Sequence, residues 1–168
     1  FCISPESIEK KISKKTKAIL AVDIFGISAD IYKIKKVIGD RNIKLISDSA
    51  QAPYYFNRKK LASTASDIGG FSLNCHKHIN TGEGGIVVTN NSKLASRVYK
   101  LRNHAEASLK KNDKLNNMIG YNFRMGEIEA AIGLTQYKKL KKIIISRNSL
   151  LNYLAKEINK FKGINIYN

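Results

Sequence analysis

Acidic residues, cysteine and long apolar runs are what this sequence has little of. There are 13 aspartates and glutamates against 30 lysines and arginines, and only two cysteines in 168 residues. Cys2 and Cys75 form neither a disulfide framework nor a metal-ligand spacing, which excludes a stapled secreted domain and a cysteine-built metal centre. They are expected to be free thiols in a reducing cytoplasm, and no metal is expected. No apolar stretch approaches the roughly 20 residues of a membrane-spanning helix, so no membrane partner is expected. The shortage of acid leaves a net charge of +17, which raises nucleic acid as a partner. The excess, however, is mostly lysine spread over separate elements: Lys14, Lys15 and Lys17; Lys33, Lys35 and Lys36; Lys138, Lys139, Lys141 and Lys142. That distribution reads as solvated helix faces. Aromatic residues do not alternate with the basic ones in a stacking array, so nucleic acid is not expected either.

What is present suits a globular domain with a real core: 43% hydrophobic and 26% charged residues. The chain opens at Phe1 rather than methionine and runs directly into a helix start at Ser4-Pro5. It is therefore expected to be a piece of a longer protein, without an N-terminal and a C-terminal part. The first helix is predicted to about Ile12. Ala18 to Val22 is a continuous apolar run of strand length, of the kind buried on both faces. Ser28 is the predicted cap of a second helix that carries Ile31, Ile34, Val37 and Ile38 at helical spacing. Ile43 to Ile46 is the next strand, ending at Ser47-Asp48. Alternation of this kind predicts a parallel sheet with crossover helices, in which functional groups gather beyond the carboxyl ends of strands. Residues 52–66 read as irregular, Asp67 to Leu73 as a short strand, Thr81 to Gly85 as a turn, and Ile86 to Thr89 as a strand. A helix is predicted from Asn91-Ser92 to Leu101, a polar loop over 103–121, and helix from Gly126 onward.

Four segments carry chemistry. Asp48-Ser49-Ala50-Gln51 follows a buried strand. Ser72-Leu73-Asn74-Cys75-His76-Lys77 comes next, then the turn Thr81-Gly82-Glu83-Gly84-Gly85, then Gly120-Tyr121-Asn122-Phe123-Arg124-Met125. Singly, each has a plain explanation: a helix cap, a solvated lysine, a tight turn, a salt-bridging arginine. In this order, with Asp48 and Lys77 twenty-nine residues apart, they resemble the DegT/DnrJ/EryC1/StrS family of sugar aminotransferases. The pattern of that family is Asp-x-Ala-Gln, Ser-Phe-x-x-x-Lys, Thr-Gly-Glu-Gly-Gly and Gly-Tyr-Asn-x-Arg-Met. The resemblance runs from the Ala18 strand to the helix after Met125. It departs at Asn74-Cys75-His76, where many members have His-Pro-Thr, and at His78, where some have Asn.

The resemblance implies an α/β type I pyridoxal 5'-phosphate (PLP) transferase fold, like that of aspartate aminotransferase, with a mainly parallel sheet and flanking helices. Residues 1–137 would be part of an incomplete PLP-binding large domain, and 138–168 a helical link toward a missing small domain. It implies Lys77 as the lysine that bonds to the cofactor and moves a proton, and Asp48 as the partner of the pyridine nitrogen. It implies Gln51 beside the cofactor ring, Ser72 on its phosphate, and Asn122 reaching the phosphate of a neighbouring subunit in a homodimer with shared sites. The implied reaction moves an amino group, from glutamate, to a nucleotide-linked keto-sugar for polysaccharide or glycoconjugate synthesis. A PLP-dependent sugar dehydratase, in which relatives replace the lysine with His, and a non-catalytic regulatory relative are the alternatives. The family's N-terminal part supplies a phosphate-binding loop and a stacking aromatic, so activity is expected of the complete gene product. His76, His78 and His104 are either substrate or phosphate contacts or simply polar loop residues.

Overall fold

The structure, a computed structural model, describes residues 1–57, 60–105, 118–164 and 166. Helix α1 (Pro5–Lys11) starts where Ser4 accepts a hydrogen bond from the Ser7 amide at 3.1 Å. Strand β1 (Ala18–Val22), helix α2 (Ile31–Ile38) and strand β2 (Lys44–Asp48) follow. The cap of α2 is Asp30, not Ser28: its carboxylate accepts from the Lys33 amide at 3.0 Å. Asp30 directly precedes the first helical residue, where a short carboxylate reaches the free amides. The Ser28 hydroxyl donates instead to Asp23 at 2.9 Å. The stretch expected to be irregular holds an antiparallel ribbon of β3 (Phe56–Asn57) and β4 (Lys60–Leu61), then a single 3₁₀ turn over Ala62–Ala65.

Strands β5 (Ile68–Ser72) and β6 (Gly85–Val88) precede α3 (Ser92–Arg102), α4 (Glu127–Tyr137) and α5 (Leu140–Ile158). Most of the predicted 103–121 loop lies outside the described residues. Its two described flanks pair: the Tyr121 amide donates to Leu101 and that of Phe123 to Arg102, each at 2.9 Å.

The sheet runs in the order β1-β2-β5-β6, with β6 antiparallel to β5 and the others parallel. One transverse row joins Val22, Asp48, Gly70 and Val87. Helices α1 and α2 cover one face, burying Ile8, Ile31, Ile34 and Ile38 against Ile19, Ala21 and Leu45. Each such side chain contributes about 1.5–3 kcal/mol. The expectation that β1 is buried on both faces is corrected. Ile19 and Ala21 are buried, whereas Leu20 is 56% exposed, because the helices in contact with this strand lie on one side. A second, smaller core of Leu73, Ile79 and Leu140, with Ile143 and Ile144 against it, docks α5 onto the loop after β5.

Candidate active site

Asp48 ends β2, where the apolar run stops and the chain turns. It is half-buried, and one carboxylate oxygen, Oδ1, accepts from the Ala50 amide at 3.0 Å. The other makes no hydrogen bond among the described residues. Ser49 is buried beside it and donates to Asp23. Gln51 lies three residues on, with its Oε1 accepting from the Phe25 amide at 3.0 Å. That bond commits the carbonyl end of the amide and leaves its NH₂ end as the donor.

Ser72 ends β5, two residues beyond Gly70, the register partner of Asp48. Its hydroxyl oxygen accepts from the Asn74 amide at 3.2 Å, so its proton remains to be given. The chain then folds into a turn that carries Lys77. The Lys77 amide donates to the Asn74 carbonyl at 2.9 Å, and the His76 amide to Asn74 Oδ1 at 3.1 Å. The glycine turn clamps this loop. Asn74 Nδ2 donates to Glu83 Oε1 at 2.9 Å, the Leu73 amide to the Gly84 carbonyl at 2.8 Å, and the Thr81 amide to the Leu73 carbonyl at 2.9 Å. Gly84 has φ +156° and no room for a Cβ, which would fall 2.6 Å from Thr81 Oγ1.

Lys77 opens into a cavity of about 660 Å³ with Gln51, Tyr54, Tyr55, His76 and His78, closed on one side by Ile144, Arg147, Asn148 and Leu151 of α5. The Lys77 ammonium makes no hydrogen bond or ion pair among the described residues. His78 is held below the usual histidine range, first by burial and then by the positive charges of Arg147 and Lys77. Its Nδ1 is buried without a partner. Asp48 and Ser72 stand at the adjoining strand ends rather than on the cavity wall. Asn122 is not brought to the others. It is exposed and pairs with Asn103, beside the stacked rings of Tyr121 and Phe123. His104 lies on that same segment, where its amide donates to the Tyr121 carbonyl at 3.0 Å. Among the described residues no cluster of three or more His, Cys, Asp or Glu could hold a metal.

Two groups escaped the sequence reading. Asp23 is fully buried and accepts from the Ser28 hydroxyl, the Ala29 amide and the Ser49 hydroxyl. Arg147 reaches the cavity because Ile143 and Ile144, four and three residues before it, face the second core. That apolar spacing is the signal that could have found it.

The chain is 32% identical to a GDP-perosamine synthase of Vibrio cholerae, over 93% of this chain and 42% of that one. The fold superposes with a TM-score of 0.76 on an aminotransferase of Helicobacter pylori involved in pseudoaminic acid biosynthesis, at 34% identity, over 83% of this chain and 38% of that one. It superposes at 0.81 on an Escherichia coli GDP-4-keto-6-deoxy-D-mannose-3-dehydratase with bound hydrated PLP, at 29% identity, over 94% and 44%. The chain thus spans less than half the length of these relatives, and its fold is the mixed, mainly parallel α/β fold of the type I PLP transferases. The family pattern of the DegT/DnrJ/EryC1/StrS aminotransferases matches residues 1–168, and the chain belongs to that family.

Proposed function

We propose that the whole protein is a PLP-dependent aminotransferase that moves an amino group from glutamate to a nucleotide-linked keto-sugar. One observation carries the reading. Among the described residues, Asp48 and Gln51 each use one polar atom to hold their own position and leave the other without a partner, the Ser72 hydroxyl accepts a hydrogen bond and keeps its proton to give, and the Lys77 ammonium is unengaged. A Cβ at Gly70, beside Asp48, would meet nothing within 4 Å. Carboxylate, amide, hydroxyl and amine, with open space next to the carboxylate, form a donor set that fits PLP.

When bound, the cofactor supplies an electron sink for charge that develops at the amine-bearing carbon. The free oxygen of Asp48 would keep a proton on the pyridine nitrogen, sustaining that sink. Lys77 would hold the cofactor covalently and then carry a proton to and from the reacting carbon. It opens into the same cavity as Arg147 and His78, where a substrate held on that wall would be within its reach. The Ser72 hydroxyl would donate to the phosphate, and the Gln51 NH₂ group to the ring's oxygen. Asn122, exposed between Tyr121 (59%) and Phe123 (69%), supports a homodimer in which it serves the neighbouring site.

Residues 1–137 would belong to the cofactor-binding domain and 138–168 would lead toward a small domain, with the start of α5 also closing the cavity. The reading places the reaction in the cytoplasm, on glycoconjugate precursors; among the described residues no helix is long and apolar enough to cross a membrane. The test is product analysis: the full-length protein, PLP, ¹⁵N-glutamate and candidate keto-sugar nucleotides, read by mass spectrometry. Incorporation of ¹⁵N into the sugar supports transamination. A deoxy product without nitrogen assigns the protein to dehydration, the activity named for the E. coli relative.

A further inference from the structure

The cavity around Lys77 has a charge pattern that cofactor attachment does not use. Among the described residues, Arg147 makes no ion pair, and no aspartate or glutamate lines the cavity. Arg147 is held there by the docking of α5, since Leu140, Ile143 and Ile144 pack against Leu73 and Ile79 on either side of the lysine turn. His78 follows Lys77 directly and lines the same space. Its Nδ1 is sealed and unpartnered, and burying a bare acceptor there costs less than burying an unpaired N–H. The ring proton therefore belongs on Nε2, which is not among the sealed atoms. The wall accordingly offers a guanidinium fork and an imidazole N–H with no anion to receive them.

Resting on the aminotransferase reading, we propose that Arg147 and His78 form the subsite for the carboxylate of the amino donor. The choice follows from distance to the reacting atom. In an amino acid the carboxylate is bonded to the carbon that bears the amine, so it must lie beside Lys77. In a nucleotide sugar the hexose ring separates the phosphates from the keto carbon. A planar guanidinium also matches a carboxylate in two parallel hydrogen bonds.

The experiment uses the full-length protein loaded with PLP. Glutarate, a dicarboxylate with no amine to transfer, and GDP are each titrated by calorimetry into wild type, Arg147→Met, Arg147→Lys and His78→Asn. Circular dichroism and cofactor absorbance serve as controls for folding and loading. Glutarate affinity is expected to fall about tenfold or more in Arg147→Met. It should recover in part in Arg147→Lys and weaken in His78→Asn, with GDP affinity changed by less than about twofold. Unchanged glutarate affinity in a folded, loaded Arg147→Met would overturn the proposal. So would an equal loss of GDP affinity, which would give the subsite to the phosphates of the nucleotide sugar. Should the wild type fail to exchange amine with glutamate, the aminotransferase reading itself falls. Intact exchange with unaltered glutarate binding in the variants sinks only the subsite.

Discussion

Asp48 and Gly70 are register partners across β2 and β5, and a Cβ at Gly70 would enter empty space on the face that Asp48 occupies. Gly69, one residue earlier, points the opposite way. A Cβ there would lie 2.8 Å from the Ser63 carbonyl and 3.0 Å from Ser47 Oγ. Adjacent glycines thus do different things: one permits close packing, and the other keeps the ground beside a carboxylate clear.

Substitution should separate the two. In the full-length protein, Gly70→Val is expected to fold with a Tm close to wild type, since valine suits a strand and meets no neighbour. Its affinity for PLP should fall by about tenfold or more, a steric loss of the size overpacking produces. Gly69→Ala should do the reverse, losing about 1–3 kcal/mol of stability while retaining the cofactor. Fluorescence titration with PLP and denaturant unfolding read the two effects. A Gly70→Val protein that binds PLP normally would show that the space beside Asp48 is not the cofactor's.

Asp23 ties three segments together through Ser28, Ala29 and Ser49. Replacing it with asparagine puts an NH₂ group against atoms that already donate. The expected loss is about 1–3 kcal/mol, seen as a lower urea midpoint with an unchanged slope. A midpoint equal to wild type would mean that the carboxylate adds nothing the amide cannot supply.

His78 has a depressed proton affinity in the fold, through burial first and the charges of Arg147 and Lys77 after it. The unfolded chain, with an ordinary histidine value of about 6.5, therefore takes up the proton first as pH falls. Stability from neutral His78 is complete above about 6.5 and is lost as pH drops from there toward the folded value. Proton NMR should place the His78 midpoint below about 6.5, and Arg147→Met should move it upward without restoring it fully, because burial remains. A wild-type midpoint at or above that value contradicts the arrangement.

Local pattern made much of this readable. The apolar run Ala18–Val22 and the helical spacing of Ile31, Ile34 and Ile38 name their elements, because each is decided within a few residues. Asp48 could be placed at a strand end because the apolar run before it stops at polar residues, whereas Ser72 and Lys77 are legible only through the spacing they share with the family pattern. Long-range coverage could not be read. Whether Leu20 meets a helix or open space depends on which face α1 and α2 choose. The burial of Asp23 depends on Ser49, twenty-six residues away, and the place of Arg147 depends on Leu140 meeting Leu73. The cap of α2 is ambiguous in the sequence, because Ser28 and Asp30 are both good capping residues. Only the geometry of the turn shows that Asp23 takes the first and the helix the second.

The central claim is that Lys77 is the cofactor's attachment point in an aminotransferase. The most direct measurement is the visible absorption spectrum of the full-length protein with PLP, before and after glutamate, for wild type and Lys77→Ala. A yellow protein that bleaches on addition of glutamate, with no such band in a folded Lys77→Ala, is the expected result. A folded, dimeric wild type that takes up no colour, or a Lys77→Ala protein with the same spectrum and the same response to glutamate, would contradict it.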